Sequence, residues 1–116
     1  MFKIREINNN YIVGFKRAQR LNTIISDLVK TQLLKLIKKS GTTLILDFQG
    51  IHFIDSHGFD TLIKITEVAK ENSNAFYLYN VSSDVMELIN LMELQSHFRF
   101  CGRKLVESLN LIEIYK

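Results

Sequence analysis

The chain has 116 residues, 47% hydrophobic and 23% charged, with no proline, no tryptophan and one cysteine. That length holds one hydrophobic core and one domain, expected to span residues 1–116, and the composition excludes wholesale disorder, a collagenous tract, an internal disulfide and a cysteine-rich zinc centre. The net charge of +3 is unevenly spread: residues 1–40 carry nine lysines and arginines against two acids, the remainder six against ten.

Lys16, Arg17 and Arg20, with Lys30, Lys35, Lys38 and Lys39, hold most of the positive charge. The helix lysines fall mostly opposite an apolar stripe, where a solvated face would put them. No glycine-rich basic segment or RNA-binding aromatic signature accompanies them, so the pattern favours a polarised protein–protein surface over nucleic acid. The apolar runs are far short of the ~20 residues a membrane span needs. Met1–Glu6 carries early charge with no apolar signal region after it, which sets a cytoplasmic expectation.

In chain order, Phe2 to Ile7 and Tyr11 to Lys16 are β-favouring runs separated by three asparagines, which predicts a hairpin. Ile25, Leu28, Val29, Leu33, Leu36 and Ile37 follow helical spacing up to Ser40-Gly41. Thr43 to Phe48 is nearly continuous in apolar character, as a strand covered on both faces would be. Ile51-His52-Phe53-Ile54 leads to Asp55-Ser56-His57-Gly58 and a helix with Phe59, Leu62, Ile63, Thr66 and Ala69 on one face. Phe76 to Tyr79 is the next strand, with Tyr77 and Tyr79 alternating as on one exposed sheet face. Ser82-Ser83-Asp84 supplies caps for a helix with Val85, Leu88, Ile89 and Met92 at i, i+3, i+4 and i+7. Phe98 to Cys101 is a last core strand, Lys104 to Leu109 a short helix, and Ile112 to Tyr115 a terminal extended segment. The prediction is a single α/β domain: an N-terminal hairpin, then alternating helices and mainly parallel strands in one mixed sheet.

One junction concentrates the chemistry. Asp55-Ser56-His57-Gly58 is a strand-to-helix turn in which Asp55 or Ser56 can accept hydrogen bonds from the free amides of the new helix. Either way the Ser56 hydroxyl lies at the positive end of a helix dipole. Gly58 in the first turn costs up to ~1 kcal/mol against alanine, which points to close backbone approach by a neighbour. Taken alone, an N-cap and a packing glycine explain the turn.

The stretch Leu44-Ile45-Leu46-Asp47-Phe48-Gln49-Gly50-Ile51-His52-Phe53-Ile54-Asp55-Ser56-His57-Gly58-Phe59 resembles the STAS-domain family of bacterial anti-sigma-factor antagonists. It matches that family's strand, short extended segment and Asp-Ser-x-Gly helix start in unbroken register. The similarity continues through Leu78-Tyr79-Asn80-Val81-Ser82 and through Val85, Leu88, Ile89, Met92, Leu94 and Phe98. It covers residues 42 to 100 well and thins before them.

The resemblance implies a binding module rather than an enzyme, with no cofactor and no metal. Ser56 matches the serine that a partner anti-sigma factor, itself a serine kinase, phosphorylates in this family. The unphosphorylated domain binds that partner, phosphorylation breaks the complex, and a phosphatase resets it. The implied partner-binding positions are Asn22, Asp55, Ser56, His57, Gly58 and Asp60. The chain departs from the family pattern at four of its positions. Asn22 occupies the place of a frequent loop acid, and His57 replaces a small residue. Asp60 adds a carboxylate one turn beyond Ser56, and Glu93 stands where a glycine is common.

Other readings compete. A non-switching STAS scaffold, or a subunit of a transport or stress-sensing assembly, needs no modification of Ser56. A small serine hydrolase needs Asp55, Ser56 and His57 to form a relay, which consecutive side chains on a helix start rarely do, and no nucleophile-elbow motif exists. His52, His57 and His97 have no metal-ligand spacing. Met86 and Met92 are expected in the core, and Cys101 as an inert buried thiol.

Overall fold

The computed structural model describes residues 2–112. Strands β1 (Phe2–Ile7) and β2 (Asn10–Phe15) are followed by a two-residue β3 (Arg20–Leu21) and helix α1 (Thr23–Ile37). Then come β4 (Thr43–Asp47), a two-residue β5 (Phe53–Ile54) and α2 (Ser56–Glu71). The chain continues through β6 (Ala75–Tyr79), α3 (Ser83–Leu91), a 3-10 turn at Gln95–His97, β7 (Phe100–Cys101) and α4 (Arg103–Ser108). The expected terminal segment lies, past Ile112, outside the described residues.

The hairpin forms where the asparagines predict it. Asn8 and Asn9 take left-handed φ values of 53° and 65°, the pair that a two-residue type I′ turn requires, and Ile7 faces Asn10 across the ladder. The main sheet has the order β1-β2-β4-β6-β7. β1 is antiparallel to β2, and every other neighbouring pair is parallel. Parallel pairing demands a crossover between successive strands, and α1, α2 and α3 supply the three crossovers on one face. Beyond the expected sheet, β3 and β5 pair in parallel as a separate two-stranded ribbon.

Strand alternation divides the core. Val13, Leu44, Leu46, Phe76 and Leu78 pack with Val29, Leu33 and Ile37 of α1, Leu62 and Ile65 of α2, and Val85 and Ile89 of α3. Ile12, Ile45 and Tyr79 point the opposite way, onto Val106 and Leu111. Burial on both faces explains the near-continuous apolar run: Leu44, Ile45, Leu46 and Phe48 are all fully buried. It also corrects the expectation for the tyrosines. Tyr79 is buried, because α4 folds back over the face that its strand pattern leaves open.

Four further expectations change. Met92 is 51% exposed, because it is the C-cap of α3, just past the stripe it extends in sequence; Met86 does pack against the core. The buried line of α2 runs through Phe59, Leu62, Ile65, Val68 and Ala69, leaving Ile63 and Thr66 at its flanks. On α1, Leu28 is 45% exposed although it fits the apolar period. The last strand is also shorter than expected, with Phe98 buried ahead of it.

A contact distant in sequence joins the lower edge. The Asn74 side-chain amide donates to the carbonyls of Ile37 and Lys39, while its oxygen accepts the Thr42 N–H. One side chain thereby satisfies carbonyls at the end of α1 and an amide ahead of β4, groups that would otherwise be orphaned.

Candidate functional site: the paired starts of α1 and α2

β3 and β5 position this site. Their parallel register sets Arg20 against Phe53 and Leu21 against Ile54. The ribbon is held by His52 N–H donating to the Gln19 carbonyl at 2.8 Å and Asp55 N–H donating to the Leu21 carbonyl at 3.3 Å. The next residue on each strand is an N-cap. Asn22 Oδ1 accepts the Ile25 N–H at 3.2 Å, and Asp55 Oδ1 accepts the Gly58 N–H at 2.8 Å. The two helices therefore start side by side and run the same way, with the positive ends of both dipoles at one edge.

Of the two capping candidates, Asp55 does the capping and Ser56 is the first helical residue. The Ser56 side chain is consequently exposed, at the N-terminal edge of α2. Gly58 is buried beneath it, and the close neighbour that its presence implied is the β3 backbone. A Cβ on Gly58 would lie 2.5 Å from the Leu21 carbonyl oxygen and 2.6 Å from Ile54 Cγ2, both far inside van der Waals contact. Glycine here lets β3 lie against α2.

His57 turns toward α1. Its Nε2 lies 2.9 Å from Asp27 Oδ1, with the two side chains 44% and 67% exposed, so the pair is a solvent-screened tie between the helix starts. Asp60 is exposed one turn further along α2. The basic loop reaches this edge: Arg17 takes φ 61°, and the Arg20 guanidinium lies 5.8 Å from the Phe53 ring centroid. Cavities of ≈ 310 Å³ and ≈ 440 Å³ flank the loop, the first lined by Arg17, Arg20 and Asn22, the second by Arg17, Gln49 and His52.

All six predicted partner-binding positions thus belong to one edge: Asn22, Asp55, Ser56, His57, Gly58 and Asp60. Gly58 serves it from below, and the other five are half-buried or exposed. The sequence reading missed Asp27 and the apolar rim of the same edge, where Ile24 is 73% exposed and Phe53 42%. Ile24 could have been found as an apolar residue off the stripe of α1; Asp27 offered no local signal, because its partner is 30 residues away.

A hydrolytic relay is not assembled. The Asp55 carboxylate is occupied by the Gly58 amide, and His57 is directed at Asp27. Among the described residues no group of three or more His, Cys, Asp or Glu could hold a metal ion, and the His52 ring Nδ1 lies 3.9 Å from Asp84 Oδ2. No helix among them is long and apolar enough to cross a membrane. Cys101 is half-buried, and desolvation together with the nearby Asp47 carboxylate pushes its thiol up to about 11, which keeps it unreactive at neutral pH.

Comparison with known proteins places this arrangement. The STAS domain model matches residues 3–110. No curated protein matches the chain. A STAS-domain anti-sigma-factor antagonist from Planctomyces limnophilus superposes with a TM-score of 0.78 at 16% identity, covering 99% of this chain and 98% of that one. The phosphorylated form of SpoIIAA, described as a Bacillus cell fate determinant, gives 0.68 at 13% identity, covering 97% of this chain and 100% of that one. The murine anion transporter Slc26a9 gives 0.64 at 26% identity, covering 75% of this chain but 14% of that one.

Proposed function

The chain belongs to the STAS-domain family, and from that premise we propose that it is a phosphorylation-switched binding module of the anti-sigma-factor-antagonist type. Unphosphorylated, the edge around Ser56 docks an anti-sigma factor that is also a serine kinase. Phosphorylation of Ser56 releases that partner, and a phosphatase restores binding. The protein acts in the bacterial cytoplasm as one domain over residues 1–116 and carries out no catalysis itself.

The observation that carries this reading is the exposure of Ser56 at the first position of α2, directly after a capping aspartate. A kinase needs an accessible hydroxyl, and the cap leaves this one out of the helix's own hydrogen bonding. A phosphoryl group adds roughly −1.5 to −2 charge, which the adjacent helix dipoles tolerate. Inside a docked interface the same group must lose water and displace whatever covered Ser56. Each ~1.4 kcal/mol of that penalty is a tenfold loss of affinity, so release needs no change of fold. Asn22, Asp55 and Gly58 hold the edge in shape, while His57, Asp60 and the rim of Ile24 and Phe53 meet the partner.

Incubating the protein with its partner kinase and ATP should add one phosphate, at Ser56, and Ser56→Ala should abolish the mass increase. Phosphate found elsewhere, or none, overturns the switch. The likeness to a segment of a transporter supports a second reading, a scaffold that holds its partner constitutively. The scaffold binds equally well whether residue 56 is serine or aspartate.

A further inference from the structure

A second cleft lies where the chain reverses its winding. After β6 the chain passes to α3, whose Val85 and Ile89 pack on the face carrying Leu78. After the neighbouring β7 it passes to α4, whose Val106 packs on the opposite face beside Tyr79. Chains leaving two adjacent parallel strands toward opposite faces diverge and open a crevice beyond the strand ends, the place where open α/β sheets bind ligands. Here it is a cavity of ≈ 470 Å³ between residues 78–81 and 100–103, closed on one side by Met86. That volume suits a small molecule.

The lining states what kind of molecule. Val81, Met86 and Phe100 offer an apolar wall, Phe100 being 37% exposed. Arg103 is the one charged side chain in the lining. Its Nε is engaged by Glu107 Oε1 at 2.6 Å, which orients the guanidinium and leaves its terminal nitrogens for another acceptor. A planar fork of that kind matches a carboxylate. Behind the Tyr79 and Cys101 side of the lining the character is opposite. Asp47 is fully buried beside Tyr79 and Cys101, with Gln49 N–H and the Asn80 amide as its donors and no cation within salt-bridge distance among the described residues. Its field, felt at Cys101 in the lining, disfavours an anion on that side and favours placing the anionic end of a ligand at Arg103.

We propose that this cleft binds a small amphipathic carboxylate, with its carboxylate on Arg103 and its apolar body against Val81, Met86 and Phe100. The site shares no residue with the Ser56 edge and does not depend on the switch.

The test is an amide chemical-shift titration of the full chain with sodium phenylacetate, with 2-phenylethylamine and inorganic phosphate as separate arms. Phenylacetate should give saturable shifts confined to residues 78–81 and 100–104 and to Met86, with a Kd of about 10 mM or tighter for so small a probe. The amine, with its charge reversed, and phosphate, with no apolar body, should each bind at least about tenfold more weakly. Arg103→Gln should weaken phenylacetate by about tenfold while the rest of the spectrum stays unchanged. Equal binding of the amine, shifts mapping elsewhere, no saturation with phenylacetate, or indifference to Arg103→Gln would each overturn the proposal. Equal binding of phosphate reduces the site to a simple anion contact and overturns it as well.

Discussion

Two sites lie at the carboxyl ends of two different pairs of parallel strands, one in the ribbon and one in the main sheet, and they differ in the direction taken by the chain that leaves them. At β3 and β5 both strands feed helices on one face, so α1 and α2 start flush and the space between them is filled by Gly58 against Leu21. The result is a paired helix-start edge with an exposed serine, beside the cavities that flank the Arg17 loop. At β6 and β7 the outgoing chains part to opposite faces, and none of the described residues fills the gap between them. The result is a hollow of small-molecule size. One fold therefore presents paired helix starts at one place and a cleft between diverging chains at the other, and winding direction decides which is which.

The largest expected effect breaks the Ser56 edge at its base. Gly58→Ala puts a methyl group against the Leu21 carbonyl, and forcing β3 off α2 should cost about 1–3 kcal/mol, read as a lower urea midpoint. Partner binding should fall with it, while phenylacetate binding in the other cleft should persist in the folded fraction. A variant as stable as the parent would show that β3 does not rest on α2.

At the cleft, Asn80→Ala removes the side-chain donor that links the end of β6 to the buried Asp47 carboxylate. A loss of about 1–3 kcal/mol is expected by chemical denaturation, because a buried acceptor loses a partner. Asp47→Asn in the same background should recover part of that loss, since the uncompensated charge is then gone.

His57→Ala should matter far less for stability. The tie to Asp27 is largely exposed, so a double-mutant cycle with Asp27→Ala should give a coupling of about 0.2–1 kcal/mol that shrinks in high salt. A larger, salt-insensitive coupling would mean that the two helix starts depend on this pair.

The smallest effect is chemical. With its thiol pushed up to about 11, Cys101 of the folded protein should alkylate slowly at pH 8, and its rate should climb as pH rises toward 11. The urea-unfolded chain should react at the rate of an ordinary thiol. The sign follows from desolvation, which disfavours the thiolate, with the Asp47 carboxylate acting in the same direction. Fast alkylation of the native protein at pH 8 would show that burial and Asp47 do not hold the thiol in its protonated form.

The order of elements was largely legible in the sequence because it depends on local pattern. The asparagine turn, the continuous apolar run of β4, and the Asp55 and Ser82 caps each specify a conformation over a few residues. The Ser56 turn was legible for the same reason. What escaped depends on distant neighbours. β3 is two residues long and alternates nothing, so only its pairing with β5 defines it. Asp27 acquires its place from His57, and Asn74 from the end of α1. Tyr79 is buried because α4 arrives after the strand pattern has ended. Met92 lies off the apolar stripe because α3 stops one residue before it. In each case periodicity describes the strand or helix, and the tertiary neighbour decides exposure.

The most direct test of the switch is the affinity of the partner kinase for the protein in two states, unmodified and phosphorylated at Ser56, measured by calorimetry under one salt condition. A working switch requires that phosphorylation weaken binding by about tenfold to a hundredfold, with no loss of folded structure. Equal affinity of the two forms would contradict it and leave the Ser56 edge a constitutive docking surface.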